Sequence, residues 1–320
     1  MPVRQYNLDS QESIFFENEL QYIMAETYET LYPELKYSSL LPVVSEGGNG
    51  VETIGYDMYD EVGIAKVIAN YADDLPRSDV KGHRTLVNVK GIGGSYGYNI
   101  QEIRASAKAG KPLERMKAAS ARKSIEMLIN KGAWKAHNTE EFPTLYGLLY
   151  HPNITAYESD HGAGSGGTVH IWSGKTADEM ILDINKLCQR SMVLTKGIEV
   201  ADTFACPITQ YSQIASTKAS AYTETTILDR VKLSNPHITT WTWLEELKDV
   251  NPIPSTLVAS AQDVAICYKN SPLKLKCEVP QPFEQFAPEI RGLEYVVPCH
   301  ARFAGVCIMY PLSVTILEHI

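Results

Sequence analysis

The sequence predicts an α+β fold, on three observations. Apolar stripes of helical period, two of them behind capping signals, fall in the first two thirds of the chain. From Ile238 onward β-prone runs dominate: Ile238–Trp243, Thr256–Ser260, Asp263–Tyr268 and Leu273–Val279, then Gly292–Ile316 as two runs around Ala304–Gly305. Between residues 46 and 98, two β-prone stretches lie between glycine clusters, GGNG at Gly47–Gly50 and GIGGSYG at Gly91–Gly97. Helices first and a mixed sheet region afterwards is the α+β pattern.

The elements follow in order. Residues 9–31 read as a helix with Asp9 and Glu12 as a capping box, ended by Pro33. Its stripe (Ile14, Phe15, Ile23, Met24) is thin, and residues 1–45 hold seven acidic groups against Arg4 and Lys36, so it reads as an arm that packs on something else. In residues 46–98, Ile54, Tyr56 and Met58 alternate with Gly55, Asp57 and Tyr59, and Thr85–Lys90 is a second strand run. Together they predict a two-stranded ribbon on glycine hinges, too weak to stand alone in water and in need of a covering surface.

Residues 99–135 predict a helix in two pieces, broken at Gly110–Pro112, with Ala118, Ala121, Ile125, Leu128 and Ile129 on one face and Gly132 as its stop. A further helix starts at Thr176 with Glu179 completing a capping box, and shorter ones lie near Thr209–Ala215 and Glu224–Leu233.

Length and charge narrow the class. With 320 residues, 44% apolar and 21% charged, the chain is long enough to bury a core without disulfide or metal staples. A net charge of −9 and pI near 5.4 argue against a dedicated nucleic-acid binder, though not against a protein that encloses nucleic acid without gripping it. There is no membrane-length apolar run and no signal peptide behind Arg4, so a cytosolic site of synthesis is expected. The six cysteines form no CxxC pair and read as buried free thiols.

No constellation makes a sharp catalytic case. GIGGSYG has Tyr96 where a dinucleotide fingerprint needs glycine, and it lacks the Gly-Lys-Ser/Thr of a phosphate loop. DHGAGSGGTVH (Asp160–His170) holds Asp160, Ser165 and His170, the parts of a hydrolase triad, but Ala163 stands where a nucleophile elbow needs glycine. It reads as a connecting loop, and the spacing of His161 and His170 supports no metal. Cys299 and His300, as strand neighbours, point to opposite faces. No cofactor, metal or catalytic residue is therefore assigned. The 18 Tyr against 7 Phe suit a chain built to contact copies of itself.

Five segments carry a resemblance that runs nearly end to end: YETLYPELK (Tyr28–Lys36), IANYADDLPRSDVKG (Ile68–Gly82), SYGYNIQEIRASAKAGKPL (Ser95–Leu113), TTILDRVKLSNPH (Thr225–His237) and RGLEYVVPCHARFAGVCIMYPL (Arg291–Leu312). Together they strongly resemble a family of tailed-bacteriophage major capsid proteins, whose fold is shared with herpesvirus floor domains and encapsulins. The resemblance implies an N-terminal arm at 1–45, an E-loop hairpin at 46–98, and a peripheral domain with a spine helix at 99–170. An axial domain at 171–290 and C-terminal strands at 291–320 returning to the peripheral domain complete it. It also implies pentamers and hexamers of an icosahedral head around double-stranded DNA, in a virion assembled in a bacterial cytoplasm. A portal, a separate scaffolding protein (the chain has no room for a scaffolding region before its first matched motif) and a decoration protein are the implied partners. Lys66, Lys81 and Lys90 carry no sign of crosslinking reactivity.

The alternatives are an encapsulin-like compartment and, on the residues alone, a hydrolase using Ser165, His170 and Asp160. Charge adds candidate subunit contacts. Residues 46–82 carry eight acidic and three basic groups, whereas residues 100–136 carry nine basic and three acidic. Asp73, Asp74 and Asp79 on the ribbon, and Arg115, Arg122 and Lys123 on the helix, are the expected meeting points between subunits.

Overall fold

A computed structural model describes residues 33–62, 78–110, 113–160, 162, 170–220, 222–250 and 261–320. The chain divides into two units at Glu34, and every element below belongs to the second, Leu35–Ile320. The helix expected at 9–31 and the strand expected at Thr256–Ser260 lie outside the described residues.

A short helix α1 (Tyr37–Leu40) and strand β1 (Val43–Val44) lead into the ribbon, β2 (Thr53–Val62) and β3 (Asp79–Asn88). These two strands pair antiparallel from Thr53↔Asn88 to Val62↔Asp79. One expectation fails here. GIGGSYG is not a hinge but the body of a third strand, β4 (Lys90–Asn99), paired along its whole length with β12 (Glu294–Phe303). Strand alternation explains it: Ile92 and Tyr96 face inward and are buried. Ile125 packs over Gly94 between them, its Cδ1 3.5 Å from where a Cβ would stand, an ordinary contact.

The two helical pieces at 100–135 are α2 (Ile100–Ala109) and α3 (Leu113–Lys135). Asn99 and Glu102 cap α2 reciprocally, and Gly110, at φ +65°, closes it in the left-handed conformation glycine tolerates. Ile125 and Ile129 are buried on the expected face, with Ala118, Ala121 and Leu128 packed beside them. The helix does not stop at Gly132 but continues to Lys135. Gly132 is there because a Cβ would stand 2.7 Å from Phe303 Cε1 and 2.9 Å from Phe142 Cε1. The residue that sequence propensity marks as a helix stop is here a contact surface.

After β5 (Ala156–Glu158) come α4 (Ala177–Leu194), β6 (Thr203–Cys206), α5 (Ile208–Ser216), α6 (Ile227–Ser234) and β7 (Thr240–Trp243). Then follow β8 (Val264–Tyr268), β9 (Leu275–Glu278), β10 (Gln281–Gln285), β11 (Glu289–Arg291), β12, β13 (Gly305–Ile308) and β14 (Val314–Glu318). Thr176 and Glu179 form the expected capping box of α4. Strands do not simply follow helices, since β4 precedes α2 and is completed by β12 from the far end of the chain.

A five-stranded mixed sheet, β5-β14-β8-β6-β7, separates two hydrophobic cores. Val264, Ile266 and Tyr268 of β8 face a core shared with α3, while Ala265 and Cys267 face one shared with α4, α5 and α6. A strand covered on both faces must be apolar throughout, which is why DVAICY and SVTIL read as continuous runs. All six cysteines are buried and free.

Candidate assembly surfaces

Among the described residues the ribbon is fastened to the body at its base: Tyr56 Oη donates to the Ile308 carbonyl (3.2 Å), and Arg302 donates to the Asn49 carbonyl. Past Tyr56 it is exposed: Tyr59 is 72% exposed and Val80 58%, with Leu86 nearer the base at 64%. Arg84 makes a bidentate pair with Asp57 across the strands, at 2.6 and 2.8 Å, and holds that carboxyl below the usual carboxylate range.

Beside the base lies an apolar groove of about 640 Å³. Met58 of the ribbon, Leu194 at the end of α4, Ile198, Met309 and Leu312 line it. Ile198 is 80% exposed and Val193 beside it 72%. Contiguous apolar surface of this kind marks an interaction site. Residue patterning did not reveal it, because Met58, Ile198 and Leu312 are remote from one another in the chain and each reads singly as ordinary surface.

The charge candidates fare unevenly. Asp79 is exposed at the start of β3, where its carboxylate accepts the Val80 N–H (2.9 Å). Asp73 and Asp74 lie outside the described residues. Arg115 is exposed on the first turn of α3, Lys123 is half-buried, and Arg122 pairs with Glu126 one turn on (2.8 Å). Two more of the basic run are paired within the subunit, Lys117 with Glu102 (2.9 Å) and Lys131 with Glu141 (2.5 Å).

Of the hydrolase candidates, Ser165 lies outside the described residues, Asp160 is ion-paired with Lys186, and His170 Nδ1 is held by the Ser159 carbonyl at 2.6 Å. Cys299 is buried on one face of β12, while His300 lies on the other, its Nε2 2.8 Å from where a Cβ on Gly91 would stand. In β4 the GIGGSYG backbone is engaged in a strand ladder, not curled into a phosphate cradle. Among the described residues no helix is long and apolar enough to cross a membrane.

The described residues thus combine a mixed fold, a two-stranded ribbon, a long helix packed on β4 and an open apolar groove. The chain belongs to the major capsid protein family, whose model matches residues 63–320. Its fold is that of capsid subunits in solved particles. The capsid of Myoviridae phage XM1 superposes with a TM-score of 0.81 at 15% identity, covering 97% of this chain and 100% of that one. The capsid of a native GTA particle gives 0.64 at 8% identity (97% and 99% covered), and Mycobacterium phage Bobi 0.60 at 13% (94% and 96%). No curated protein sequence matches the chain.

Proposed function

We propose that copies of this chain assemble into the pentamers and hexamers of a closed icosahedral phage head that encloses double-stranded DNA. The observation that carries this reading is the ribbon: ten paired residues a strand, with Tyr59 and Val80 uncovered among the described residues. A two-stranded ribbon is marginal alone in water, so a covering surface on another subunit accounts for its persistence. In this reading residues 46–98 are the E-loop, 99–170 the peripheral domain with α3 as spine, and 171–290 the axial domain. Residues 1–45 are the arm and 291–320 the returning strands. The net charge of −9 suits a wall that contains DNA without binding it by sequence. The chain acts as a structural subunit, not as an enzyme.

Sedimentation velocity tests it. Tyr59→Asp with Val80→Asp places charge on the ribbon but not in either core. Wild type should sediment as large particles and the variant as small, folded species. Particles of unchanged size and yield would remove the ribbon from the assembly interface.

A further inference from the structure

Two neighbouring segments and a distant one meet at the outer edge of the five-stranded sheet: Glu158 ends β5, His170 returns toward the sheet just ahead of α4, and His319 follows β14. One ligand atom from each lies within 4.8 Å of those of the other two. The meeting is built, not incidental. Ser159 is buried, and its hydroxyl bonds the His170 carbonyl (2.8 Å) and the His319 carbonyl (2.7 Å), while its own N–H bonds the Glu318 carbonyl (3.1 Å). The Ser159 carbonyl holds His170 Nδ1 at 2.6 Å, which makes Nδ1 the donor and leaves the lone pair on Nε2. The two imidazoles stand 5.2 Å apart between centroids. His319 adopts φ +61°, a conformation uncommon outside glycine, and its Nδ1 is buried with no hydrogen-bond partner among the described residues.

We propose that Glu158, His170 and His319 bind one divalent first-row transition-metal ion, which fastens the end of the chain to β5. Two imidazoles and one carboxylate with positions left open are the donor set of Zn²⁺ and its neighbours, not of Mg²⁺ or Ca²⁺. A backbone carbonyl on the second nitrogen of His170 is the usual outer partner of a ligating histidine. Bonds of about 2.0–2.2 Å require the three donors to close in by roughly 1 Å, a movement open to the exposed Glu158 side chain. Spacing rules did not reveal the site, since 149 residues separate its two histidines.

The test uses tag-free full-length protein stripped with EDTA and titrated with Zn²⁺ by calorimetry. One ion per chain is expected, and His170→Ala, His319→Ala and Glu158→Gln should each weaken binding about tenfold or more, while His83→Ala on β3 changes nothing. At about 100 times its dissociation constant, Zn²⁺ should raise the thermal midpoint by about 4 °C. Co²⁺ should give the intense visible bands of low-coordinate nitrogen and oxygen ligation. Glu158→Gln, at an exposed carboxylate, keeps the test decisive if a histidine variant misfolds. No binding at 100 µM Zn²⁺ as titrant, or binding that Glu158→Gln and the histidine variants leave intact, would overturn the proposal.

Discussion

Gly132 of α3 and Phe303 of β12 are in contact so close that a Cβ on Gly132 would stand 2.7 Å from the Phe303 ring. This contact sets how near the long helix comes to the sheet beneath it. Helix propensity alone favours Ala over Gly by about 1 kcal/mol. Gly132→Ala is nevertheless expected to destabilise the subunit by about 1–3 kcal/mol, because Phe303 and Phe142 are rings in a packed core that cannot give way freely. Urea denaturation of the unassembled subunit measures it, and a stabilised variant would show that the helix has room to move.

Lys175 and Asp183 form a buried ion pair at 2.5 Å, their side chains 1% and 3% exposed, with Trp172 Nε1 donating to the same carboxylate oxygen at 3.3 Å. Burial pushes the Asp183 carboxyl up, against the pull of Lys175 and Trp172. Lys175→Met leaves that carboxylate without its cation and should cost about 3–5 kcal/mol. Lys175→Met with Asp183→Leu should recover most of the loss. Equal destabilisation in the single and double variants would mean that the pair contributes through packing alone.

His151 is buried, and its Nδ1 accepts the Asn153 N–H (3.3 Å), so the ring is neutral in the folded subunit. Burial lowers its pKa to about 4. The unfolded chain takes up the proton near pH 6.5 and the folded chain does not, so stability falls as pH drops from about 6.5 to 4. The loss attributable to this ring is up to about 3 kcal/mol, and above pH 7 it vanishes. His151→Gln should flatten that part of the stability–pH curve. An unchanged slope would mean that the ring ionises freely in the folded state.

If the acidic ribbon meets the basic helical run of α2 and α3 between subunits, reversing Arg115, Arg122 and Lys123 to Glu should slow assembly by about tenfold or more at low salt. Reversing Asp73, Asp74 and Asp79 to Lys in the same chain should partly restore the rate, and about 1 M salt should shrink all of these differences. Light scattering follows the kinetics. A combined variant that recovers nothing beyond the sum of its parts would show that the two charge runs do not meet. Arg115 is the variant to make singly, since Arg122 already has Glu126.

Local signals were legible in the sequence and contacts between distant segments were not. The capping box at Thr176, the ribbon alternation from Ile54 to Met58 and the apolar run of β8 each follow from residues within a few positions of one another. The two glycine misreadings share a cause. Gly132 looks like punctuation locally but makes room for the Phe303 ring, and the glycines of β4 sit in a ladder closed by β12 from a distant part of the chain. The apolar groove and the Glu158–His170–His319 cluster were invisible for the same reason, because their members come together only when β14 lies beside β5 or the ribbon beside α4.

Cryo-electron microscopy of particles formed by the full-length chain tests the central claim most directly. The expected result is a closed shell of five- and six-fold capsomers in which β2 and β3 of each subunit lie across its neighbour and bury Tyr59 and Val80. A monodisperse small species under all assembly conditions, or shells whose ribbons stand free in solvent, would contradict it.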